Sequence, residues 1–261
     1  MKAIQSQAER LTSIPGEVIL NNNLSSSPIS QVFLCTFNST KAVIRLDRPC
    51  ASRLAINREH EFMLLKHIEH LRLAPKILFH DAKKGILIWE YFEGKEFSLS
   101  TNNQSSNLRA LGNSLSKIHE STIFKNSLDI FSESICLYQI LLENSPHEAL
   151  ANKTLSLYDD LSKDGINYVL SHNDLNKKNL LWSNQFLFLD WEYAGINHPC
   201  FDIASIVKAQ NLDEKNLREL LIGYCGSKNL FDYQLVKQWI LFSDLLDEVW
   251  EISVSILSLD N

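Results

Sequence analysis

The stretch LSHNDLNKKNLLW followed by FLFLD constrains this chain most, because a strongly polar loop is framed there by short apolar runs. YVLSH, LLW and FLFLD read as strands, being short, apolar and bounded by turn-forming residues. Between them His172, Asp174 and Asn179 stand in an HxDxxxxN spacing, and Asp190 follows eleven residues after Asn179 at the end of an apolar strand. Phosphoryl transfer from ATP needs such parts. One carboxylate orients an attacking hydroxyl and accepts its proton, while an amide oxygen and a second carboxylate hold Mg²⁺. Asp174, Asn179 and Asp190 suit those roles in that order. The competing reading is a polar turn whose Asp and Asn satisfy nearby backbone groups. The strands on both sides and the separate Asp190 segment favour the catalytic one.

The rest of the chain supplies a frame for that loop. Its first part alternates strand-like runs with turns: EVIL at 17 to 20, QVFLCTF at 31 to 37, KAVIRL at 41 to 46, then KILFHD and GILIWEYF. The apolar positions Leu54, Ile56, Phe62, Leu65, Ile68 and Leu71 predict one helix from about Ala51 to Leu71, and Pro75 stops it soon after. After Gly94 comes the polar FSLSTNNQSSN, and most of the remaining chain has helical periodicity: 108 to 119, about 128 to 143, 148 to 161, and two or three helices between 213 and 259. No internal repeat is present. The pattern predicts an α+β chain of two lobes, a small β-rich lobe over residues 1–92 with one long helix and a larger, mostly helical lobe over 93–261. A ligand cleft is expected at their junction.

Composition narrows the partners. With 31 acidic against 25 basic residues the net charge is −6, which argues against a broad electrostatic grip on nucleic acid or a membrane surface. The five cysteines are widely spaced and form no CxxC pair, which disfavours a disulfide framework or a zinc site. The opening MKAIQSQAERL has no uninterrupted apolar stretch, and no run approaches the roughly 18 apolar residues of a membrane span. A cytoplasmic protein is expected.

Together, HNDLNKKN, the DWEYAG stretch that begins at Asp190 and the segment Phe201-Asp202-Ile203-Ala204 resemble the kinase-like family of aminoglycoside phosphotransferases, choline and ethanolamine kinases and bacterial thiamine kinases. The resemblance covers most of the chain. It implies a bilobal protein-kinase-like fold with ATP and Mg²⁺ as cofactors, and it makes Asp202 a structural acid of the helical lobe. The family's strand cation would be Arg45, held by a helix glutamate. The Arg58-Glu59 pair matches the family's RE and favours Glu59, with Glu61 as the alternative. Ser26, Ser27 and Ser30, in LSSSPISQVF, occupy the place of the turn that covers the phosphates. The run GILIWEYFEG resembles the hinge between lobes, where the Glu90 carbonyl and the Phe92 N–H would take the adenine and Trp89 would lie behind it. His119 corresponds to a helix-ending histidine with a structural role.

The acceptor is read from the last helix. LFSDLLDEVWEISVSI resembles the helix that brings two tryptophans to the ammonium group in choline kinases. Trp250 matches one of them. Asp247 stands at the other position, where it could supply charge instead, and Ala209 stands where those enzymes bring a glutamate. Glu192 is a third candidate. Lys177 and Lys178 could reach the transferred phosphate or remain solvated, while Trp239 and Tyr224 suit a helical core as well as a ligand cage. The implied partner is a small hydroxylated cation, choline or ethanolamine first, then thiamine, then an aminoglycoside. A kinase-like binding protein without catalysis is the alternative of another class.

Overall fold

A computed structural model of the chain describes residues 7–54, 56–99, 104–122, 130–226 and 231–259. Its first part is an antiparallel sheet of five strands, β1 (Val18–Ser26), β2 (Ser30–Phe37), β3 (Thr40–Asp47), β4 (Ile77–Asp81) and β5 (Ile86–Glu90), in the order β1-β2-β3-β5-β4. The β2–β3 hairpin turns on Asn38 and Ser39, both at positive φ (47° and 66°), the backbone twist that two-residue hairpins require. β3 lies between β2 and β5 and is buried from Ala42 to Leu46, Arg45 included. A short helix, α1 (Gln7–Thr12), ties down one end of this sheet through the Arg10 guanidinium, which donates to the carbonyls of Asp47 (2.7 Å) and Gly85 (2.6 Å).

The expected helix over 51–71 is divided. A 3-10 turn occupies Pro49–Arg53, α2 runs from Arg58 to Ile68, and another 3-10 turn covers Glu69–Leu71. The cause is local: the Asn57 side chain accepts the His60 N–H (3.0 Å), so a new helix starts there with its own cap.

Beyond Gly94 lie a three-stranded sheet of β6 (Lys95–Glu96), β8 (Leu180–Trp182) and β9 (Phe186–Phe188), and a pair of β7 (Val169–Ser171) with β10 (Gly195–Asn197). Six helices surround them: α3 (Gln104–His119), α4 (Ile130–Leu142), α5 (Glu148–Leu161), α6 (Pro199–Gln210), α7 (Glu214–Cys225) and α8 (Tyr233–Leu259). α3 and α7 approach backbone to backbone. A Cβ on Gly112 would fall 2.1 Å from the Leu220 carbonyl oxygen, so only glycine fits there. The main core joins α2 to β8, β9 and these helices, with Trp191, Trp239 and Phe242 wholly enclosed. A second cluster lies between the two parts of the chain: Ile29 of the β1–β2 turn packs with Leu54, Tyr138, Val249 and Leu257. Among the described residues no helix is long and apolar enough to cross a membrane, and the five cysteines are free.

Candidate active site

The loop of residues 172–179 leaves β7 and is fixed before it reaches Asp174. Asp202, in the first turn of α6, accepts the backbone N–H groups of His172 (2.7 Å) and Asn173 (2.9 Å) and a contact from His119 Nε2 (3.0 Å). Burial alone would raise the Asp202 carboxyl, but these partners hold it below its ordinary value. His172 lies under the loop with Nε2 at 2.9 Å from the Leu189 carbonyl, while its Nδ1 accepts the Asp174 N–H (3.3 Å). That arrangement is the neutral imidazole, and burial pushes its pKa down to about 4. Asn173 has φ +64°, a conformation asparagine tolerates better than most residues, and its side chain bonds the Tyr193 carbonyl and Asn197.

Asp174 is therefore presented by a rigid loop. Its two carboxylate oxygens accept the side-chain amides of Asn176 (3.0 Å) and Asn179 (2.8 Å). Burial and then the nearby charge of Asp190 raise its pKa well above the ordinary carboxyl value. Asn179, itself buried, spends its NH₂ on the carboxylate and the carbonyl of Asp174 (2.8 and 2.9 Å). Asp190 follows β9 at φ +61°, with Oδ1 at 3.3 Å from Arg45 Nη1 and a side chain 42% exposed. Burial raises its pKa against the pull of Arg45.

Both aspartates line one cleft of about 500 Å³. No group of three or more His, Cys, Asp or Glu side chains among the described residues is arranged to hold a metal. Mg²⁺ asks for less, since it commonly takes one or two carboxylates and completes its shell with phosphates and water. The residues present fit that requirement. Arg45 and Arg58 are the cations of a cluster holding four carboxylates, Asp47, Glu61, Asp190 and Glu192, and the negative excess reaches the cleft at Asp190.

The partner of Arg45 is Glu61, which corrects the expected Glu59. Arg45 Nη1 donates to Glu61 Oε1 at 2.9 Å and Nη2 to Oε2, whereas Glu59 faces solvent. Once Asn57 caps α2, Glu61 shares a face with Leu64, Leu65 and Ile68, and Glu59 does not. The two arginines pull the buried Glu61 carboxyl down to about 2 against the opposing effect of burial.

The serine turn also differs from expectation. Ser26 Oγ accepts from Arg48 (2.9 Å), and Ser27 Oγ accepts the N–H groups of Ile29 (3.2 Å) and Ser30 (3.1 Å). The Ser30 N–H is thus bonded within the turn, while Ser27 and Ser30 both line the cleft. At the expected hinge, the Glu90 N–H goes to the Lys76 carbonyl (2.9 Å), and the Phe92 carbonyl accepts from Gly94 (3.0 Å).

Trp250, Asp247 and Glu192 line the same cleft, together with Tyr138, Tyr193 and Glu251. The Trp250 indole N–H donates to the Tyr193 hydroxyl (2.9 Å), which is hydrogen-bonded in turn with Tyr138. Burial raises both phenols. Asp247 shares its charge with Lys208 (2.7 Å), and Glu192 is held by Arg58 (2.8 Å). Burial and Asp190 lift the Glu192 carboxyl to about 7 despite that arginine. Trp239 belongs to the core, stacked on His198, and Tyr224 bonds His119 (2.8 Å). Lys177 turns to Glu96 (3.6 Å), which leaves Lys178 as the only cation among the described residues lining the cleft, against five carboxylates. Tyr193 could have been found from its place directly after Asp190-Trp191-Glu192. Tyr138 lies on α4, with no motif around it.

The family described as phosphotransferase enzyme family (APH) matches residues 23–239. Protein LicA of Haemophilus influenzae is 32% identical over 213 residues, a match that covers 77% of this chain and 62% of that protein, less than two thirds of its length. The crystal structure of choline kinase LicA from Streptococcus pneumoniae superposes with a TM-score of 0.72 at 21% identity, covering 91% of this chain and 84% of the other. The streptomycin–ATP–APH(2″)-IIa ternary complex gives 0.66 at 17% identity, covering 93% and 92%. These neighbours have the bilobal kinase-like fold.

Proposed function

Because the chain belongs to the phosphotransferase enzyme family, we propose that it transfers the γ-phosphoryl group of ATP to the hydroxyl of a small cationic alcohol, with choline or ethanolamine as the leading acceptor. The observation that carries this reading is the content of one cleft. Asp174 and Asp190 face the same space as the aromatic wall of Tyr138, Tyr193 and Trp250. Such a wall attracts a quaternary ammonium through the ring faces, and the carboxylates around it add to the attraction. The similarity to proteins called choline kinase LicA points the same way. Thiamine, another cationic alcohol, and an aminoglycoside follow.

In this reading Asp174 orients the acceptor hydroxyl and takes its proton as the acceptor oxygen bonds to the γ-phosphorus. The bond to the β–γ bridging oxygen breaks, and ADP leaves. Asp190 and the Asn179 amide oxygen would hold Mg²⁺, which when bound neutralises phosphate charge. Arg45, clamped by Glu61, faces the phosphates from β3, and Lys178 meets the transferred group. Glu90 and Phe92 supply backbone contacts to the adenine, and Ser27 and Ser30 border the phosphates. Positioning and charge neutralisation carry most of the rate.

The test is ADP release from ATP by the purified chain with choline, ethanolamine, thiamine or kanamycin. Turnover with choline or ethanolamine well above the acceptor-free rate supports the reading. Turnover with kanamycin alone would replace the acceptor, and ATP binding with no acceptor turned over would make this a binding protein.

A further inference from the structure

The geometry points to Arg58 as a positioning residue that fastens the segment carrying Asp190 to α2 through Glu192. The inference rests on the reading of Asp190 as the metal-holding carboxylate. Arg58 is nearly enclosed and reaches three acids on three different parts of the chain. It contacts Asp47 through two nitrogens (2.6 and 2.9 Å), Glu61 one turn along its own helix (3.0 Å) and Glu192 (2.8 Å). Only a guanidinium has the planar set of five N–H donors that such a junction uses.

The segment needs an outside hold. Asp190 sits at φ +61°, a region that residues other than glycine enter at a cost, so its surroundings must keep it there. α2 grips the segment at two points. Arg58 takes the Glu192 carboxylate, and His60 Nε2 lies 3.1 Å from the Ala194 carbonyl. Glu61, directly after His60 on α2, orients Arg45, which meets Asp190 itself. One helix therefore sets the strand cation and the metal-bearing segment together. Glu192 then works as the handle that Arg58 holds, and its hydrogen-bond-accepting oxygen matters more than its charge.

The experiment measures binding of a non-hydrolysable ATP analogue by calorimetry, with Mg²⁺ and with EDTA, for the wild type, Glu192→Ala, Glu192→Gln and Arg58→Lys, each shown to be folded by urea unfolding. Outer partners of a metal site commonly govern about 10–100-fold in metal affinity. Glu192→Ala is expected to weaken Mg²⁺-dependent binding at least about tenfold while leaving binding in EDTA within about twofold. Glu192→Gln, whose amide oxygen can still accept from Arg58, recovers most of that loss, and Arg58→Lys resembles Glu192→Ala. If Gln binds as weakly as Ala, the charge of Glu192 acts directly and the proposal fails. It also fails if Ala binds like the wild type, or if the loss is the same in EDTA. Should Arg58→Lys not fold, the two Glu192 variants decide alone. A wild type that binds Mg²⁺–nucleotide yet phosphorylates no acceptor defeats the transferase reading without touching this one, whereas no Mg²⁺-dependent binding at all overturns both.

Discussion

Two groups of side chains around the cleft, those about Asp174 and those about Trp250, are held differently. Around Asp174, Asp202 of α6 holds the loop backbone, His172 accepts the Asp174 N–H, and the Asn176 and Asn179 amides of the same loop hold its carboxylate. On α8, Trp250 is anchored by its bond to Tyr193, and Asp247 is 66% exposed at its side chain. The chemical step tolerates little misplacement, whereas recognition of a soft cation by ring faces tolerates more. On the proposed roles, substitutions in the two groups should accordingly give effects of different kind and size.

The largest stability effect is expected from Asp202→Ala, which strands the backbone donors of His172 and Asn173 in a buried place. At about 1–3 kcal/mol for each stranded donor, the loss is about 2–6 kcal/mol, to be read from urea unfolding. A loss under about 0.5 kcal/mol would break the contrast, since surface substitutions away from such features do no more.

Glu61→Gln comes next, because it removes the charge that balances Arg45 and Arg58. Breaking a buried pair costs about 3–5 kcal/mol at neutral pH. The native Glu61 carboxyl is lowered to about 2, so the stability it contributes is complete above the unfolded value near 4.5 and is lost as pH falls toward 2. The gap between wild type and variant should therefore narrow across that window. A gap constant from pH 7 to pH 3 would contradict the assigned pairing.

Changes at the proposed acceptor residues are expected to be smaller and to sit in binding. Trp250→Leu should raise the KM for choline about 2- to 30-fold, as the loss of about 0.5–2 kcal/mol of cation–π attraction implies, with the KM for ATP unchanged. Asp247→Asn should shift it less than about threefold, because Lys208 already offsets that exposed carboxylate and solvent screens it. A larger effect for Asp247 than for Trp250 would show that charge, and not ring faces, selects the acceptor.

The same contrast governs how much of the site is legible in the sequence. Asp174, Asn179 and Asp190 lie close together in the chain, on a loop framed by strands, so local pattern is enough to bring them into one reading. Glu61 is legible too, given the register of Leu64, Leu65 and Ile68, but Asn57 has to be recognised as a helix start before that register can be set. Tyr138 is not: it reaches the cleft because α4 packs beside β10, a contact between distant parts of the chain that no local spacing records. The serines of the β1–β2 turn stand out as polar, but their hydrogen-bonding groups are largely taken up inside the turn, which depends on its three-dimensional closure around Pro28.

Single-turnover transfer from ATP to choline by Asp174→Asn, measured beside Mg²⁺–ATP affinity, tests the role proposed for Asp174 most directly. The rate should fall by roughly 10²–10⁴-fold, the usual reach of a positioned acid or base, with affinity held within about threefold. A folded variant that phosphorylates choline at the wild-type rate would contradict the assignment of Asp174.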